Sequence, residues 1–145
     1  MISVKTQDRI APLEKGVREL DLELDRPLLS HLSSKWVDEL GRMFWSAPFD
    51  NQRVISLVIP DEAWLQATLR KRDDTWIVNG VGVRKTSLGR GLGRNLVGHL
   101  IPPVEAKCLQ ENTSGNLFWI ALGFEVVAEE ETSVQKKLLT WRLRV

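Results

Sequence analysis

Apolar and polar positions alternate in two rhythms along this chain. A period of two marks strands, and steps of three and four mark helices. Ile2 and Val4 alternate with polar neighbours and predict a short edge strand, interrupted by Pro12 and Gly16. From Arg18 to Leu24 the alternation is strict: Leu20, Leu22 and Leu24 fall on one face and Glu19, Asp21 and Glu23 on the other. A half-buried strand with a wet, acidic face follows. Its acids are either solvated or attract a cationic, amine-bearing substrate. Asp25 before Arg26-Pro27 is a helix-start signature, a capping oxygen ahead of a first-turn proline. Leu29, Leu32, Trp36, Leu40 and Met43 then recur at helical steps, so the helix runs to about Trp45 and stops before Ala47-Pro48. Trp36, Phe44 and Trp45 are core residues of that helix or cover for an acceptor cleft.

A meander comes next. Arg53 to Ile59 reads as a strand, Pro60-Asp61 as its turn and Ala63 to Arg70 as a second strand. Lys71 to Asp74 is a charged hairpin tip, and Thr75 to Val83 is a third strand, apolar enough to suggest burial on both faces. That strand delivers Val81-Gly82-Val83-Arg84-Lys85-Thr86-Ser87-Leu88-Gly89-Arg90-Gly91-Leu92-Gly93-Arg94, a turn with three alternate glycines opening an amphipathic run. Leu92, Leu96, Val97 and Leu100 make one helical stripe, ended by Pro102-Pro103. Gly89, Gly91 and Gly93 remove side chains where a ligand could approach the backbone. First-turn N–H groups and the positive end of a helix dipole suit a phosphate. Arg84, Lys85, Arg90 and Arg94 surround them, with no Asp or Glu from Thr75 to Val104. The pattern is neither a P-loop, which needs Gly-x-x-x-x-Gly-Lys-Ser/Thr, nor the dinucleotide fingerprint Gly-x-Gly-x-x-Gly. A ligand-free, glycine-rich connection stays open beside the phosphate cradle.

Downstream, Val104 to Leu109 reads as a strand with Val104, Ala106 and Cys108 on one side. Residues 113–122 form a short helix closed by Gly123. Phe124 to Ala128 and Lys137 to Val145 are a closing hairpin around a solvated Glu129-Glu130-Glu131 loop. Trp141, Leu143 and Val145 share one face of the last strand, a possible dimer seam.

The order strand, Val-x-Val, five residues, Gly-x-Gly-x-Gly, helix resembles motif A of the GNAT acetyltransferase superfamily, Arg/Gln-x-x-Gly-x-Gly/Ala. Leu88 stands at the Arg/Gln position, Gly91 at the first required glycine and Gly93 at the Gly/Ala position. Asn112-Thr113-Ser114-Gly115-Asn116-Leu117-Phe118-Trp119-Ile120-Ala121-Leu122-Gly123-Phe124 is similar to the family's motif B. Asn112, Phe118, Gly123 and Phe124 match; Gly115 stands where a small residue is usual, and Trp119 stands where Tyr is common. The likeness covers roughly Arg53 to Val145. It implies a single α/β (α+β) domain over residues 1–145. Its GNAT-like central sheet would be mixed and mostly antiparallel, with six to seven strands, flanked by helices and splayed between the fourth and fifth strands.

The resemblance further implies acetyl-CoA as co-substrate. Its pantetheine arm would lie in the splay against the backbone of Val81 and Val83. Its pyrophosphate would sit on the amides of Leu88, Gly89, Arg90, Gly91, Leu92, Gly93 and Arg94, with Asn112 and Trp119 beside the arm. The implied reaction is transfer of an acetyl group to a primary amine, on a small molecule, peptide or protein. No catalytic residue is identifiable. The chain has no Tyr, an indole is a donor only, and the amide of Asn79, near where some relatives carry a catalytic Glu, is no base. A catalytically weak or inactive CoA-binding or protein-interaction module is the alternative.

Composition narrows the partners. A net charge of +1 over 145 residues, with 43% apolar and 27% charged residues, fits one ordinary domain. It argues against nucleic acid or an anionic membrane as partner. One cysteine, Cys108, makes no internal disulfide, and nothing near it in sequence lowers its pKa. His31 and His99 lack partners at ligand spacing, so no metal is expected. Without a signal-like N-terminus or a membrane-spanning apolar run, a cytoplasmic monomer or homodimer is the default.

Overall fold

The computed structural model describes residues 6–21, 23–32 and 53–145. In chain order the elements are β1 (Arg18–Glu19), α1 (Arg26–Leu32), β2 (Val54–Ile59), β3 (Ala63–Arg70), β4 (Thr75–Val83), α2 (Leu92–Val97), β5 (Val104–Leu109), α3 (Thr113–Ala121), β6 (Glu125–Glu131) and β7 (Lys137–Leu143). The seven strands form one sheet in the order β1-β2-β3-β4-β5-β7-β6. Every pairing is antiparallel except β4 with β5. The mixed, mostly antiparallel sheet expected from the sequence is therefore present.

The meander forms as its pattern predicts. Its turns place Asp61 at φ 63° and Asp74 at φ 50°, a left-handed conformation that Asp tolerates better than most residues. Arg53 pairs with Asp74, and Arg70 clasps Asp73 at 2.7 Å, fastening the hairpin tip. One face of the sheet packs Leu57, Leu65, Leu69 and Trp76 against Leu96, Val97 and Leu100. The opposite face packs Val58 and Trp64 against Leu28 and Leu29 of α1. Among the described residues no helix is long and apolar enough to cross a membrane.

Several expectations are corrected. The strand predicted over Arg18 to Leu24 is only Arg18–Glu19. Asp21 Oδ1 accepts from the amides of Glu23 and Leu24, both at 3.0 Å. That Asx-type turn overrides the alternation and leaves Leu24 68% exposed. Asp25 does precede α1, but the bonds of its carboxylate run back to Arg18 and to the Asp21 amide. Glu129 to Glu131 are the end of β6, not a loop. Their side chains are solvated all the same, because β6 is the sheet's outer edge, where charge discourages further pairing. The helix after the glycine turn stops at Val97. Gly98, His99 and Leu100 then make tightening bonds to Arg94, Leu96 and Val97, and Leu100 bridges to Ile10. β7 lies between β5 and β6, so neither of its edges is open, and Trp141 is spent in the core. Ile2, Val4, Trp36, Phe44, Trp45 and the second half of the first predicted helix lie outside the described residues.

Candidate functional site

The sheet opens where its one parallel pairing gives out. β4 and β5 pair only over Trp76 to Val78 and Val104 to Ala106. Beyond them β4 runs on to Val83 and β5 to Leu109 without meeting. This also corrects the expected burial of β4: Thr75 and Trp76 are buried, but Ile77 to Val83 are only half-buried. Strand backbone that would have bonded a neighbour there faces a cleft of about 460 Å³. Val81 and Val83 form its β4 wall and Ala106 and Cys108 its β5 wall, while Phe118 and Trp119 of α3 close one side.

At Gln66 and Ala67 of β3 the register with β4 slips from Gly80 to Val78, so Asn79 is the extra residue of a β-bulge. Bulges re-aim side chains and terminate pairing. This one sits where β5 leaves, and Asn79 Nδ2 donates to Thr68 Oγ1 at 2.8 Å.

The glycine turn stands at the cleft mouth. Leu88, 63% exposed, and Gly93 both line the cleft. Gly89 and Gly91 hold φ at 81° and 72°, and a Cβ on either would meet nothing within 4 Å. Their function is to turn the backbone left-handed with open space outside. Gly93 differs, because a Cβ there would stand 3.1 Å from the Phe118 ring, so its bareness lets α2 pack on α3. Among the described residues, no amide from Leu88 to Arg94 donates a well-formed hydrogen bond, although the 3-10 turn at Lys85–Ser87 directs the Leu88 amide back at the Lys85 carbonyl; the first amide in the series to donate is Asn95, to Gly91 O at 2.9 Å. With only six residues, α2 is a small dipole. N–H groups without acceptors are a stronger feature for holding an anion than so short a helix's dipole.

The basic frame is weaker than the sequence implies. Arg90 is paired with Glu62, which reaches the turn from the β2–β3 connection. The Glu62 carbonyl also accepts the Arg84 amide at 2.8 Å. Glu62 is a brace beneath the turn that no local motif announces. Lys85 and Arg94 stay exposed, without a carboxylate partner among the described residues.

Asn112 caps α3, its Oδ1 accepting from the Gly115 amide at 3.0 Å and the Ser114 hydroxyl at 3.2 Å. It also lines the cleft. At Gly115 a Cβ would fall 2.8 Å from both Cys108 Sγ and Asn112 Nδ2, which explains glycine where motif B usually carries alanine. Burial pushes the Cys108 thiol up, the wrong direction for a nucleophile. Trp119 is buried, edge-on to Phe118 at 4.8 Å and tilted against Phe124 at 4.9 Å. It is a cleft wall rather than a proton donor. Among the described residues no group of three or more metal-ligating side chains occurs.

Asn116 was not anticipated. Its Nδ2 donates to the carbonyls of Leu109 at 3.0 Å and Asn112 at 2.9 Å, and its Oδ1 accepts the Trp141 indole N–H at 2.9 Å. A polar residue amid the apolar α3 run was the available signal.

Neither a protein-family model nor a curated protein sequence matches the chain. Solved structures do match. The ribosomal-protein-S18-alanine N-acetyltransferase of Escherichia coli superposes with a TM-score of 0.64 at 16% identity, over 88% of this chain and 92% of that one. A GNAT-family acetyltransferase of Bacillus cereus gives 0.67 at 14% identity, over 88% and 95%. NAA60 of Arabidopsis thaliana, in complex with acetyl-CoA, gives 0.64 at 10% identity, over 89% and 97%. The fold is GNAT-like.

Proposed function

We propose that this chain is a small N-acyltransferase that moves an acetyl group from acetyl-CoA to a primary amine by direct attack in a ternary complex. One observation carries the proposal: bare main-chain amides from Leu88 to Arg94 lead directly into an apolar cleft left by the parting of β4 and β5. A diphosphate suits the amides and a slender, mostly apolar pantetheine arm suits the cleft, with its amides bonding the open edge of β4 at Val81 and Val83. Asn112 Nδ2 faces the same arm, and Trp119 packs beside it. The acetyl-CoA bound by the Arabidopsis neighbour supports the choice of co-substrate.

In the transfer, the amine lone pair attacks the thioester carbonyl carbon. The N–C bond forms, the C–S bond breaks, sulfur leaves as thiolate, and water takes the proton shed by nitrogen. Unpaired N–H groups on β4 are suited to steady the oxyanion. Replacing the usual Tyr by Trp119 forfeits general-acid help of roughly 10²- to 10⁴-fold. A thiol of pKa about 8.5 still leaves tolerably without it.

That substitution favours a second reading, a catalytically weak module that binds acyl-CoA. Release of free thiol from acetyl-CoA separates the two. The measurement uses a polyamine, an aminoglycoside, a peptide with a free N-terminus and a lysine peptide. Amine-dependent release with at least one of them is expected; binding without release would leave only the module.

A further inference from the structure

The parallel pairing of β4 with β5 ends at Val78 and Ala106, so Asn79 and Lys107 are the first residues on either bank of the cleft, and both line it. Alternation along β5 puts Val104, Ala106 and Cys108 in the core and turns Glu105 and Lys107 to the opposite face. The register row Thr68–Ile77–Glu105 identifies that face as the one carrying α1. Asn79 reaches the same face through its bond to Thr68 Oγ1. Among the described residues, Lys107 supplies the only amine in the cleft lining.

Lys107 Nζ donates to Glu130 Oε1 of β6 at 2.7 Å, with the two side chains 55% and 52% exposed. An ion pair so exposed holds its members weakly, and the lysine stem pivots from a Cα at the root of the splay. Neighbouring strands stand about 4.8 Å apart, so the released amine reaches across the gap to β4. On the acyl-CoA reading above, the thioester comes to the same place. From Val83 at the turn to Val78 at the root, β4 descends five residues, about 16 Å at roughly 3.3 Å each. A pantetheine arm extended down the splay from a diphosphate on the turn ends there, with its acyl carbon between Asn79 and Lys107.

We propose that Lys107 is a self-modification site: with acetyl-CoA in the cleft and no other amine present, its Nζ takes the acetyl group. The inference rests on the acyl-CoA reading but needs no external acceptor. On leaving Glu130, the ammonium gives one proton to water. The neutral nitrogen attacks the thioester carbon, the N–C bond forms, the C–S bond breaks, and coenzyme A leaves as its thiolate. The nitrogen's surplus proton passes to water. The product is a neutral acetamide that no longer forms an ion pair with Glu130.

Incubating the unaltered chain with acetyl-CoA alone, and mapping acetyl-lysine by peptide mass spectrometry over time, tests this. Lys136 and Lys137 are internal references. Each is 47% exposed and paired with a carboxylate, as Lys107 is, but neither lines the cleft. Lys107 is expected to be acetylated at least about tenfold faster than either, because a bound thioester is in effect an intramolecular reactant. An excess of free coenzyme A, which fills the cleft, is expected to bring Lys107 down to the reference rate. Lys107→Arg, which keeps the charge opposite Glu130, is expected to remove the main single-acetyl species from the intact-mass spectrum. Equal rates at the three lysines, a Lys107 rate indifferent to free coenzyme A, or a single-acetyl species that persists in Lys107→Arg overturns the proposal while acyl-CoA binding stands. Absence of any thermal shift of the unaltered chain with coenzyme A overturns the acyl-CoA reading, and the proposal with it.

Discussion

Gly91 holds φ at 72° with open space where a Cβ would point, so a side chain there is opposed by backbone conformation and not by crowding. A β-branched residue in the left-handed region costs about 1–2 kcal/mol. Gly91→Val is therefore expected to lower the melting temperature by a few degrees and to abolish the thermal shift produced by coenzyme A. Differential scanning fluorimetry with and without the coenzyme measures both. Gly93 would behave differently, since its missing Cβ makes room for Phe118. At this scale the sequence was informative where chemistry is local. The Gly-x-Gly-x-Gly pattern and the Asn112 cap were legible because neighbours in sequence determine them. Glu62 was invisible, because its pairing with Arg90 joins residues 28 apart through the folding of a meander.

At the scale of elements, the cleft is a consequence of how α3 is tied down. Asn116 fastens that helix to the end of β5 and, through the Trp141 indole, to β7. Asn116→Ala removes these bonds and leaves buried groups unpaired, a loss of about 2–4 kcal/mol. Urea denaturation checks it, and weaker coenzyme affinity should accompany the loss, because Phe118 and Trp119 ride on the same helix. The meander and the closing hairpin were legible from period-two patterning bounded by turn residues. The stretch from Arg18 to Leu24 was not, because Asp21 offers its own backbone neighbours a turn that outcompetes strand pairing. The splay itself leaves no mark in hydrophobicity. Val81 and Val83 look like any buried strand, and only the motif resemblance placed a cleft beside them.

Across the whole molecule, the closed end of the splay is clamped while the other end stays open. Glu105 of β5 accepts Arg70 of β3 at 3.1 Å and pairs with Arg142 of β7, spanning the sheet at the root of the cleft. Arg70 also hydrogen-bonds Asp73 and holds that carboxyl well below the usual carboxylate range. Because the folded-state pKa is depressed, its stabilisation is fully present above the unfolded value of about 3.9. It is lost as pH falls below that value toward the folded pKa. Asp73→Asn is thus expected to lower stability at pH 7 and to flatten its decline below pH about 4, as followed by urea midpoints across that range. The loss at pH 7 stays small, about 1 kcal/mol or less, because the pair is solvent-screened. The central claim concerns the other end of the molecule, where bare amides meet an open cleft. Titration calorimetry of the unaltered chain with coenzyme A tests it most directly. Saturable one-to-one binding, lost in Gly91→Val while that variant stays folded, is the predicted result. Absence of binding by the unaltered chain, or equal binding by the folded variant, would contradict it.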